Sequence, residues 1–355
     1  MGNTEAVDTV PLEDYDVNHA TLRRVFNPKP PNTIKKVSYS KTITRRSIIH
    51  FTTSVAAGLL FISLFARFPA NNKLQDVDCD FDNDISAGRI RSGVLRGRTW
   101  YLHANDTISS SVLSTHDYDP GLGKFIRESL SAFTDGIFLD IGANVGVMTS
   151  SSLQVGRYVV AVEALTDNAR LLQCSANLNG YSHLLTLHNR PLSNPQQVKT
   201  KYCVCRPPGN PSDGILVPQQ EAPGHAFCSE SDCESPLEST TIDHLNIVDP
   251  VAVMKIDVEG LECLALSGGH ALLKSNLKPC VIVAEFNPGL QNENGCTIHD
   301  MTIEMASRDY RPYRFLDSSC ATGLLTADEL DAMDRPGTVH NICWMPMSPP
   351  RHCHK

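Results

Sequence analysis

The segment GIFLDIGANVG, residues 136–146, decides the fold of this chain. It opens with a short apolar run, which is typical of a strand buried on both faces of a parallel sheet. Gly142 and Gly146 follow directly, and glycine allows the backbone to turn sharply there and to approach a ligand closely. The segment therefore predicts a strand over 136–141, a tight turn, and a helix over 145–154.

Strand-like and helix-like segments alternate through the rest of the chain. This alternation predicts the α/β class, with a doubly wound, mostly parallel sheet and right-handed crossovers. Two apolar segments near the end, 313–316 and 339–344, are expected to form an antiparallel pair at the sheet edge. The other predicted strands are 158–163, 184–189, 251–257 and 280–286, and the other predicted helices are 167–178 and 261–273.

Acidic side chains lie at the ends of two predicted strands. In an open α/β sheet, ligands bind beyond the carboxyl ends of the strands, near the switch in strand order. The dinucleotide fingerprint would need glycine where this chain has Asn144 and Val147, which disfavours NAD and FAD. S-adenosylmethionine (AdoMet) has no pyrophosphate and would tolerate the change. We expect the carboxylate of Asp140 to accept a hydrogen bond from the AdoMet amino group, and that of Glu163 to accept hydrogen bonds from the ribose hydroxyls.

The segment KIDVEGLE, residues 255–262, ends a predicted buried strand and begins a helix. Acidic residues at a helix N-terminus interact favourably with the helix dipole, by about 0.3–1 kcal/mol. Such capping could explain one acid, but this turn holds a lysine and three acids. They are Lys255, Asp257, Glu259 and Glu262. We therefore favour a functional role for this cluster at the ligand-binding edge of the sheet.

Five motifs together resemble those of the FkbM-type methyltransferases. They are, in chain order, DIGANVG (140–146), VVAVEA (159–164), STTIDHL (239–245), MKIDVEGLE (254–262) and VIVAEFNP (281–288). The resemblance covers roughly residues 130–290 and implies the class I methyltransferase fold, which is Rossmann-like. It also implies O-methylation, often of sugar or polyketide hydroxyls, with AdoMet as cofactor. Together with the strand-end argument, it gives as cofactor-binding residues Asp140, Gly142, Asn144, Gly146 and Glu163.

Two further residues have open interpretations. Analogy with class I methyltransferases places residues 189–194 beside the adenine, so Ser193 is a candidate cofactor contact. The sequence Ser193-Asn194-Pro195 also fits an ordinary turn. Asp243 could equally line the site or begin a helix.

Carboxylates are the candidates for catalysis. An alcohol is a poor nucleophile until a base removes its proton, and such a base contributes about 10²–10⁴-fold. Asp257 is the first candidate for this base, and Glu259 and Glu285 are the next. The same carboxylates could instead bind a divalent cation that acidifies the hydroxyl. The metal-free mechanism is slightly favoured, and no metal site is predicted.

The apolar segment SIIHFTTSVAAGLLFISLFA, residues 47–66, predicts a membrane anchor. A helix of this length spans about 30 Å, the thickness of the hydrocarbon core. A buried core helix fits poorly because the segment has no polar face. A cleaved signal peptide also fits poorly, because the segment begins late and lacks a convincing cleavage site. The Lys and Arg residues between 35 and 46 place the N-terminus in the cytosol and the rest of the chain in the lumen.

Charge divides the chain around this segment. The net charge is −8, but residues 1–46 hold +3 and residues 67–355 hold −11. We expect a disordered cytosolic tail over 1–46 and an acidic stalk over 67–90. The luminal methyltransferase domain is predicted over 91–355, with a Cys-rich insert at about 199–235. The acidic balance argues against a nucleic-acid partner.

All 12 cysteines follow the predicted anchor, and their even number is compatible with full pairing. Within the insert, disulfides are favoured over a zinc site, because the predicted lumen is oxidising and the spacings are not standard for zinc. The cysteines concerned are Cys203, Cys205, Cys228 and Cys233. The glycosylation sequon Asn105-Asp106-Thr107 also falls on the luminal side. These features predict a single-pass type II membrane protein of the Golgi or endoplasmic reticulum.

We therefore expect an AdoMet-dependent O-methyltransferase that modifies a hydroxyl of a glycan or glycoconjugate. A type II glycosyltransferase is one alternative, because Asp78-Cys79-Asp80 and Asp80-Phe81-Asp82 supply D-x-D patterns that could bind a metal–nucleotide sugar. These patterns lie directly after the anchor rather than at a sheet edge, which favours a solvated acidic stalk. A methyltransferase-like scaffold without activity is the second alternative, and the retained glycine turn and strand-end acids argue against it.

Overall fold

The computed structural model describes residues 77–206, 210–226, 228–335 and 337–354. The predicted tail, the predicted anchor and the first part of the predicted stalk lie outside these ranges. Within them, no helix combines the length and the apolar character needed to cross a bilayer.

Strands and helices alternate in this part of the chain much as the sequence predicts. The strands are β1 (Ile90–Leu95), β2 (Arg98–His103), β3 (Ile137–Ile141), β4 (Val159–Val162), β5 (Leu185–His188), β6 (Lys201–Cys205), β7 (Ile215–Pro218), β8 (Leu237–Glu238), β9 (Val251–Ile256), β10 (Val281–Phe286), β11 (Tyr310–Leu316), β12 (Ser319–Leu324) and β13 (His340–Pro346). The helices are α1 (Asp82–Ser86), α2 (Thr107–Thr115), α3 (Pro120–Ala132), α4 (Val147–Gln154), α5 (Thr166–Leu178), α6 (Glu262–Ser267), α7 (His270–Lys274), α8 (Pro288–Glu293), α9 (Ile298–Ala306) and α10 (Ala327–Met333).

The central sheet has eight strands in the order β12-β11-β13-β10-β9-β3-β4-β5. The strands from β10 to β5 in this order run parallel, whereas β13 runs antiparallel to both β10 and β11. The chain moves from β3 outward to β5 and later returns to place β9 and β10 on the other side of β3. This mixed, Rossmann-like sheet therefore has its switch in strand order between β3 and β9, where α/β sheets bind ligands.

The predicted parallel strands are confirmed, each within one residue at either end. The predicted antiparallel pair is also confirmed, because Tyr313 of β11 pairs with Cys343 of β13, but β12 rather than this pair forms the edge of the sheet. The outermost strand, β12, was not predicted, because its largely exposed residues show no apolar alternation. The predicted helix 261–273 is wrong as a single helix, since it breaks between α6 and α7. A Cβ at Gly268 would overlap the carbonyl oxygen of Ser193, so the chain approaches closely at this break.

Both faces of the central sheet are covered by apolar side chains. Phe138 packs into one buried cluster with Trp100 and Ile126, whereas Leu139 belongs to a second cluster with Trp344. Side chains of a strand alternate between faces, so adjacent residues of β3 enter different clusters. Burial on both faces explains why this strand is apolar apart from Asp140 instead of alternating with polar residues.

Residues 77–90, which the sequence assigned to a stalk, are part of the folded domain. Cys79 forms a disulfide with Cys174 of α5. The guanidinium of Arg170 lies 4.3 Å from the centre of the Phe81 ring, and it donates to the carbonyl oxygen of Asp78 at 2.8 Å. This packing depends on a partner 95 positions away, which no local pattern in the acidic segment could indicate.

Disulfides pair all the cysteines of the chain. In the insert, β6 pairs with β7 and β8 in a small antiparallel sheet that the pairs Cys203–Cys233 and Cys205–Cys228 cross-link. The prediction of disulfides rather than zinc in this insert is therefore confirmed. The other pairs are Cys79–Cys174, Cys263–Cys296, Cys280–Cys353 and Cys320–Cys343.

Candidate active site

A cavity of about 300 Å³ lies at the carboxyl ends of the parallel strands, where the strand order predicts a ligand. Its wall includes the turn after β3, the ends of β4, β5 and β9, and Glu285 in β10. The insert and the segment between α2 and α3 complete it. The polar and charged residues along this wall are Tyr118, Asp119, Asn144, Glu163, Arg190, Ser212, Asp213, Lys255, Asp257, Glu259, Glu285 and Asn341.

The glycine turn after β3 is fixed by a close approach to β9. Gly142 has φ +75°, and a Cβ there would overlap the carbonyl oxygen of Asp257. The ammonium nitrogen of Lys255 donates to the Gly142 carbonyl at 2.6 Å. Glycine at this position therefore allows the two predicted motifs to meet, as well as leaving backbone exposed on the cavity wall.

Glu163 at the end of β4 lines the cavity and holds the same turn. Its Oε2 accepts the backbone N–H of Asn144 at 2.7 Å, and its Oε1 accepts that of Leu165 at 2.8 Å. Burial raises the pKa of Glu163 to about 7, although both hydrogen bonds act in the opposite direction. Each carboxylate oxygen has a second lone pair, so the side chain can still accept a hydrogen bond from a ligand.

Asp140 does not line the cavity, in contrast to its predicted contact with the AdoMet amino group. The side chain is fully buried, and its Oδ2 accepts a hydrogen bond from the Thr149 hydroxyl of α4 at 2.6 Å. Burial raises the pKa of Asp140, and the charge of Lys255 opposes this shift. Since adjacent residues of β3 point to opposite faces, a carboxyl at this position is directed under α4 instead of toward the strand end.

Gly146 and Ser193 also lie outside the cavity wall. Gly146 is the N-cap of α4 with φ +88°, and a Cβ there would overlap the Leu172 side chain of α5. It therefore allows helix packing rather than a cofactor contact. Ser193 is fully buried, and its hydroxyl lies 3.4 Å from the carbonyl oxygen of Asn194. The turn interpretation of this segment fits its position better than the adenine contact.

Of the two interpretations of Asp243, lining the site or beginning a helix, the structure favours the second. Its carboxylate accepts the backbone N–H groups of Ala271 at 2.8 Å and Leu272 at 2.9 Å, so it caps α7. Glu262 has a similar role, because its Oε1 accepts the backbone N–H of Val258 at 2.8 Å. Burial raises the pKa of Glu262 to about 7.

Lys255 is a buried cation between the two halves of the site. Its ammonium nitrogen lies 3.1 Å from Oδ2 of Asp257, whose side chain is 33% exposed. Burial alone would lower the pKa of Lys255, but the charges of Asp257 and Asp140 outweigh it and raise the pKa. The lysine therefore stays charged and holds Asp257 at the cavity wall.

Glu259 and Glu285 are protonated more readily than ordinary carboxylates. Burial and then the charge of Asp257 raise the pKa of Glu259 to about 9 and that of Glu285 to about 8. Glu259 adopts φ +53°, which a non-glycine residue rarely does and which turns its side chain at the bend after β9. The three predicted catalytic carboxylates, Asp257, Glu259 and Glu285, are thus brought to one cavity.

Several cavity residues have no motif that could have identified them. Tyr118 comes from the α2–α3 connection, Asp213 from the insert, and Asn341 from antiparallel β13. Burial raises the pKa of Tyr118, and the charges of Asp257 and Glu285 raise it further. The tyrosine hydroxyl is therefore a hydrogen-bond donor that faces the acidic cluster.

The described residues contain one group of three or more side chains whose potential metal-ligating atoms lie within 4.8 Å of one another. It consists of Cys280, His352 and Cys353, and the two cysteines form a disulfide.

Comparison with known proteins gives one family match. Residues 140–312 match the model of the methyltransferase FkbM domain. No curated protein sequence matches the chain.

Solved structures of methyltransferases are similar to the chain at low sequence identity. An O-methyltransferase from Bacillus cereus in complex with SAH is 12% identical, covers 67% of this chain and 86% of its own, and has a TM-score of 0.36. A SAM-dependent O-methyltransferase from Thermotoga maritima is 12% identical, and the alignment covers 74% of this chain and 80% of the other, with a TM-score of 0.34. TYW2 from Pyrococcus horikoshii in complex with MeSAdo is 9% identical, and the alignment covers 74% of this chain and 73% of the other, with a TM-score of 0.34.

Because these TM-scores are low, the similarity to methyltransferases rests on the family match and on the strand order of the sheet. The matched residues begin at Asp140 before the glycine turn and include the strand-end acids of β4, β9 and β10. Residues 140–312 of this chain are thus similar to the FkbM methyltransferase domain.

Proposed function

We propose that this chain is an AdoMet-dependent O-methyltransferase that modifies a hydroxyl of a glycan or glycoconjugate in the secretory pathway. The main support is the cavity itself, which joins Glu163 at the end of β4 to the carboxylates that follow β9 and lie in β10. One end of such a cavity suits a nucleoside, and the other suits an acceptor hydroxyl.

The residues at the β4 end fit AdoMet. Gly142 and Glu163 line this end of the cavity, and the second lone pairs of the Glu163 carboxylate oxygens can accept ribose hydroxyls. The apolar side chains of Ala164, Leu165 and Leu192 line the same part and suit an adenine ring. When bound, AdoMet supplies an electrophilic methyl group, while the protein supplies orientation and proton transfer.

Glu285 and Asp257 are assigned different roles in the transfer. A general base works best when its pKa lies near the working pH, and burial together with Asp257 raises the pKa of Glu285 to about 8. Glu285 is therefore the base that takes the proton from the acceptor hydroxyl. Asp257 is held by Lys255 and orients the acceptor, which matters because transfer requires in-line alignment.

The compartment is proposed from the cysteines and from the predicted anchor at 47–66. A full set of disulfides suits an oxidising lumen, and the basic residues before the anchor favour a type II orientation. Glycans are abundant hydroxyl-bearing acceptors in the Golgi and endoplasmic reticulum. AdoMet would have to be imported into that lumen.

The glycosyltransferase alternative has weaker support. Asp78, Asp80 and Asp82, which form the D-x-D patterns, lie in the segment packed on α5, and none of them lines the cavity. A nucleotide-sugar site built on these residues would be separate from the acids at the strand ends. The scaffold alternative predicts that neither ligand binds.

Calorimetry of the full-length chain in detergent micelles tests these functions. We expect saturable binding of AdoMet and no binding of UDP-glucose or GDP-mannose. Binding of a nucleotide sugar without AdoMet would support the glycosyltransferase, and binding of neither would support the scaffold.

Transfer of a radiolabelled methyl group to a glycan mixture tests the chemistry. We expect Asp257→Asn to lower the rate by about 10²-fold or more, because the acceptor is no longer oriented. Asp328→Asn, an exposed change in α10, is the matched control and should leave the rate unchanged. Parental transfer by Asp257→Asn would remove Asp257 from the mechanism.

A further inference from the structure

The Cys-rich insert forms one wall of the candidate active site. Val204 of β6, Leu216 of β7 and the residues 212–214 between these strands all line the cavity. The insert is therefore part of the cavity wall and not only of the domain surface. Its residues face the carboxylates that follow β9.

Two side chains and two disulfides hold this wall in place. The carbonyl oxygen of Ser212 accepts hydrogen bonds from Nδ2 of Asn144 and from Nδ2 of Asn168, each at 2.9 Å. Asn144 belongs to the glycine turn, so the insert is attached directly to the cofactor side of the cavity. The disulfides of β6 fix the base of the same hairpin.

Asp213 lies next to this anchored carbonyl and shares the cavity wall with Glu259, whose pKa is raised to about 9 by burial and by the charges of Asp257 and Asp213. Glu259 is therefore protonated at neutral pH, and its carboxyl group can donate a hydrogen bond. The pair therefore offers a ligand one O–H donor and several acceptor oxygens. Adjacent hydroxyls of a sugar can donate to these acceptors and accept from this donor.

The charges along the wall disfavour an anionic ligand beside this pair. Asp257 lies on the same wall, and the ammonium group of Lys255 is already engaged with it. The other cation among the described residues of the wall is Arg190, which follows β5. In the sheet, β5 is separated from β9 by β4 and β3.

We propose that Asp213 makes the insert a specificity element, which with Glu259 binds adjacent hydroxyls of a neutral sugar and rejects sugars that carry a carboxylate. This inference rests on the proposed O-methyltransferase function. The rejection follows because Asp213 and Asp257 would repel a substrate carboxylate that lies beside them, and such a contact between like charges lowers affinity. A hydroxymethyl group at the same place would instead find hydrogen-bonding partners.

A matched pair of acceptors tests the inference with the full-length chain. Methyl β-glucoside and methyl β-glucuronide differ only in the hydroxymethyl or carboxylate group at C6. We expect the neutral glycoside to be methylated with a kcat/KM at least about tenfold higher, and to bind more tightly to the complex with S-adenosylhomocysteine. In Asp213→Asn, this preference should fall severalfold through KM, with the affinity for AdoMet unchanged.

Glu234→Gln is the matched control, because it removes an exposed acid of the same insert that does not line the cavity. It should keep the parental preference. Provided that AdoMet still binds, any of four results would overturn the inference. The parental chain could bind and methylate both glycosides equally, prefer the glucuronide, or bind neither glycoside. Alternatively, Asp213→Asn could keep the parental preference. Failure of the parental chain to bind AdoMet would overturn the proposed function, and this inference with it.

Discussion

The ammonium nitrogen of Lys255 lies 2.6 Å from the carbonyl oxygen of Gly142 and joins two motifs that are 113 positions apart in the chain. The same nitrogen lies 3.1 Å from Oδ2 of Asp257. One buried cation therefore ties the glycine turn after β3 to the acidic turn after β9. The two turns that line the cavity are held in a fixed relation by this side chain.

Removal of this cation should destabilise the domain. In Lys255→Met, the buried Asp140 and the partly buried Asp257 lose their compensating charge, and breaking a buried ion pair in this way costs about 3–5 kcal/mol. Urea unfolding should show the loss. Lys274→Met, an exposed change in α7, should stay within about 0.5 kcal/mol of the parental chain. Equal stabilities of the two variants would contradict the role of Lys255.

Glu163→Gln should weaken the binding of AdoMet. The carboxylate of Glu163 accepts the N–H groups of Asn144 and Leu165, whereas glutamine would turn a donor NH₂ toward one of them. A hydrogen bond to a charged group contributes about 1.5–3 kcal/mol, so we expect a Kd that is about 10–100-fold higher by calorimetry. Glu128→Gln on the exposed face of α3 is the control. An unchanged Kd in Glu163→Gln would exclude Glu163 from the cofactor site.

The parallel half of the sheet could be predicted because each strand carries its own signal. The residues of β3 and β9 are buried throughout, since both faces of these strands are covered, and all are apolar except Asp140 and Lys255. A glycine follows β3 and an acid follows β9. Local chemistry therefore fixed the places of Glu163, Asp257 and Glu285 on the cavity wall. Strand β12 is largely exposed and lacks such a pattern.

The rest of the site depends on contacts between distant segments. Tyr118 and Asp213 reach the cavity from a loop and from the insert, and neither belongs to a recognisable motif. Asp140 was misplaced for a related reason. Its position at a strand end is visible in the sequence, but the sequence does not show that α4 covers the face toward which it points, where Thr149 donates to it.

The stability of the domain without ligands should fall as the pH rises from about 5 to 9. Burial raises the pKa of Glu259 from 4.5 to about 9, so its neutral form is favoured in the folded state. This contribution is fully present below pH 4.5 and is lost as the pH rises through about 9. Thermal unfolding at pH 5, 7 and 9 measures the effect, because each kcal/mol lost from the free energy of unfolding lowers Tm by about 2–4 °C.

Glu259→Gln should make this pH dependence shallower, because the glutamine has no proton to lose. Glu238→Gln, an exposed change in β8, should keep the parental slope. Parallel slopes for Glu259→Gln and the parental chain would show that Glu259 is not the group that titrates.

Peptide mapping without reduction should recover Cys79 linked to Cys174. The two residues are 95 positions apart, and a cross-link over such a loop stabilises a fold by about 2–5 kcal/mol. The double variant Cys79→Ser/Cys174→Ser should therefore unfold at lower urea concentration, while the disulfides of the insert remain in the map. Free thiols at both positions in protein purified from the secretory pathway would contradict the packing of residues 77–90 on α5.

The dependence of methyl transfer on pH should identify the base. Glu285 must be ionised to accept the proton of the acceptor hydroxyl, and burial together with Asp257 raises its pKa to about 8. The kcat should therefore rise with pH through about 8. Glu285→Gln should lower kcat by about 10²–10⁴-fold, remove this rise and leave the affinity for AdoMet unchanged. Glu293→Gln, an exposed change at the end of α8, should keep the parental profile. If Glu285→Gln retains the rise at the same pH, another carboxylate of the cavity is the base, and Glu259 is the next to replace because its pKa is also raised.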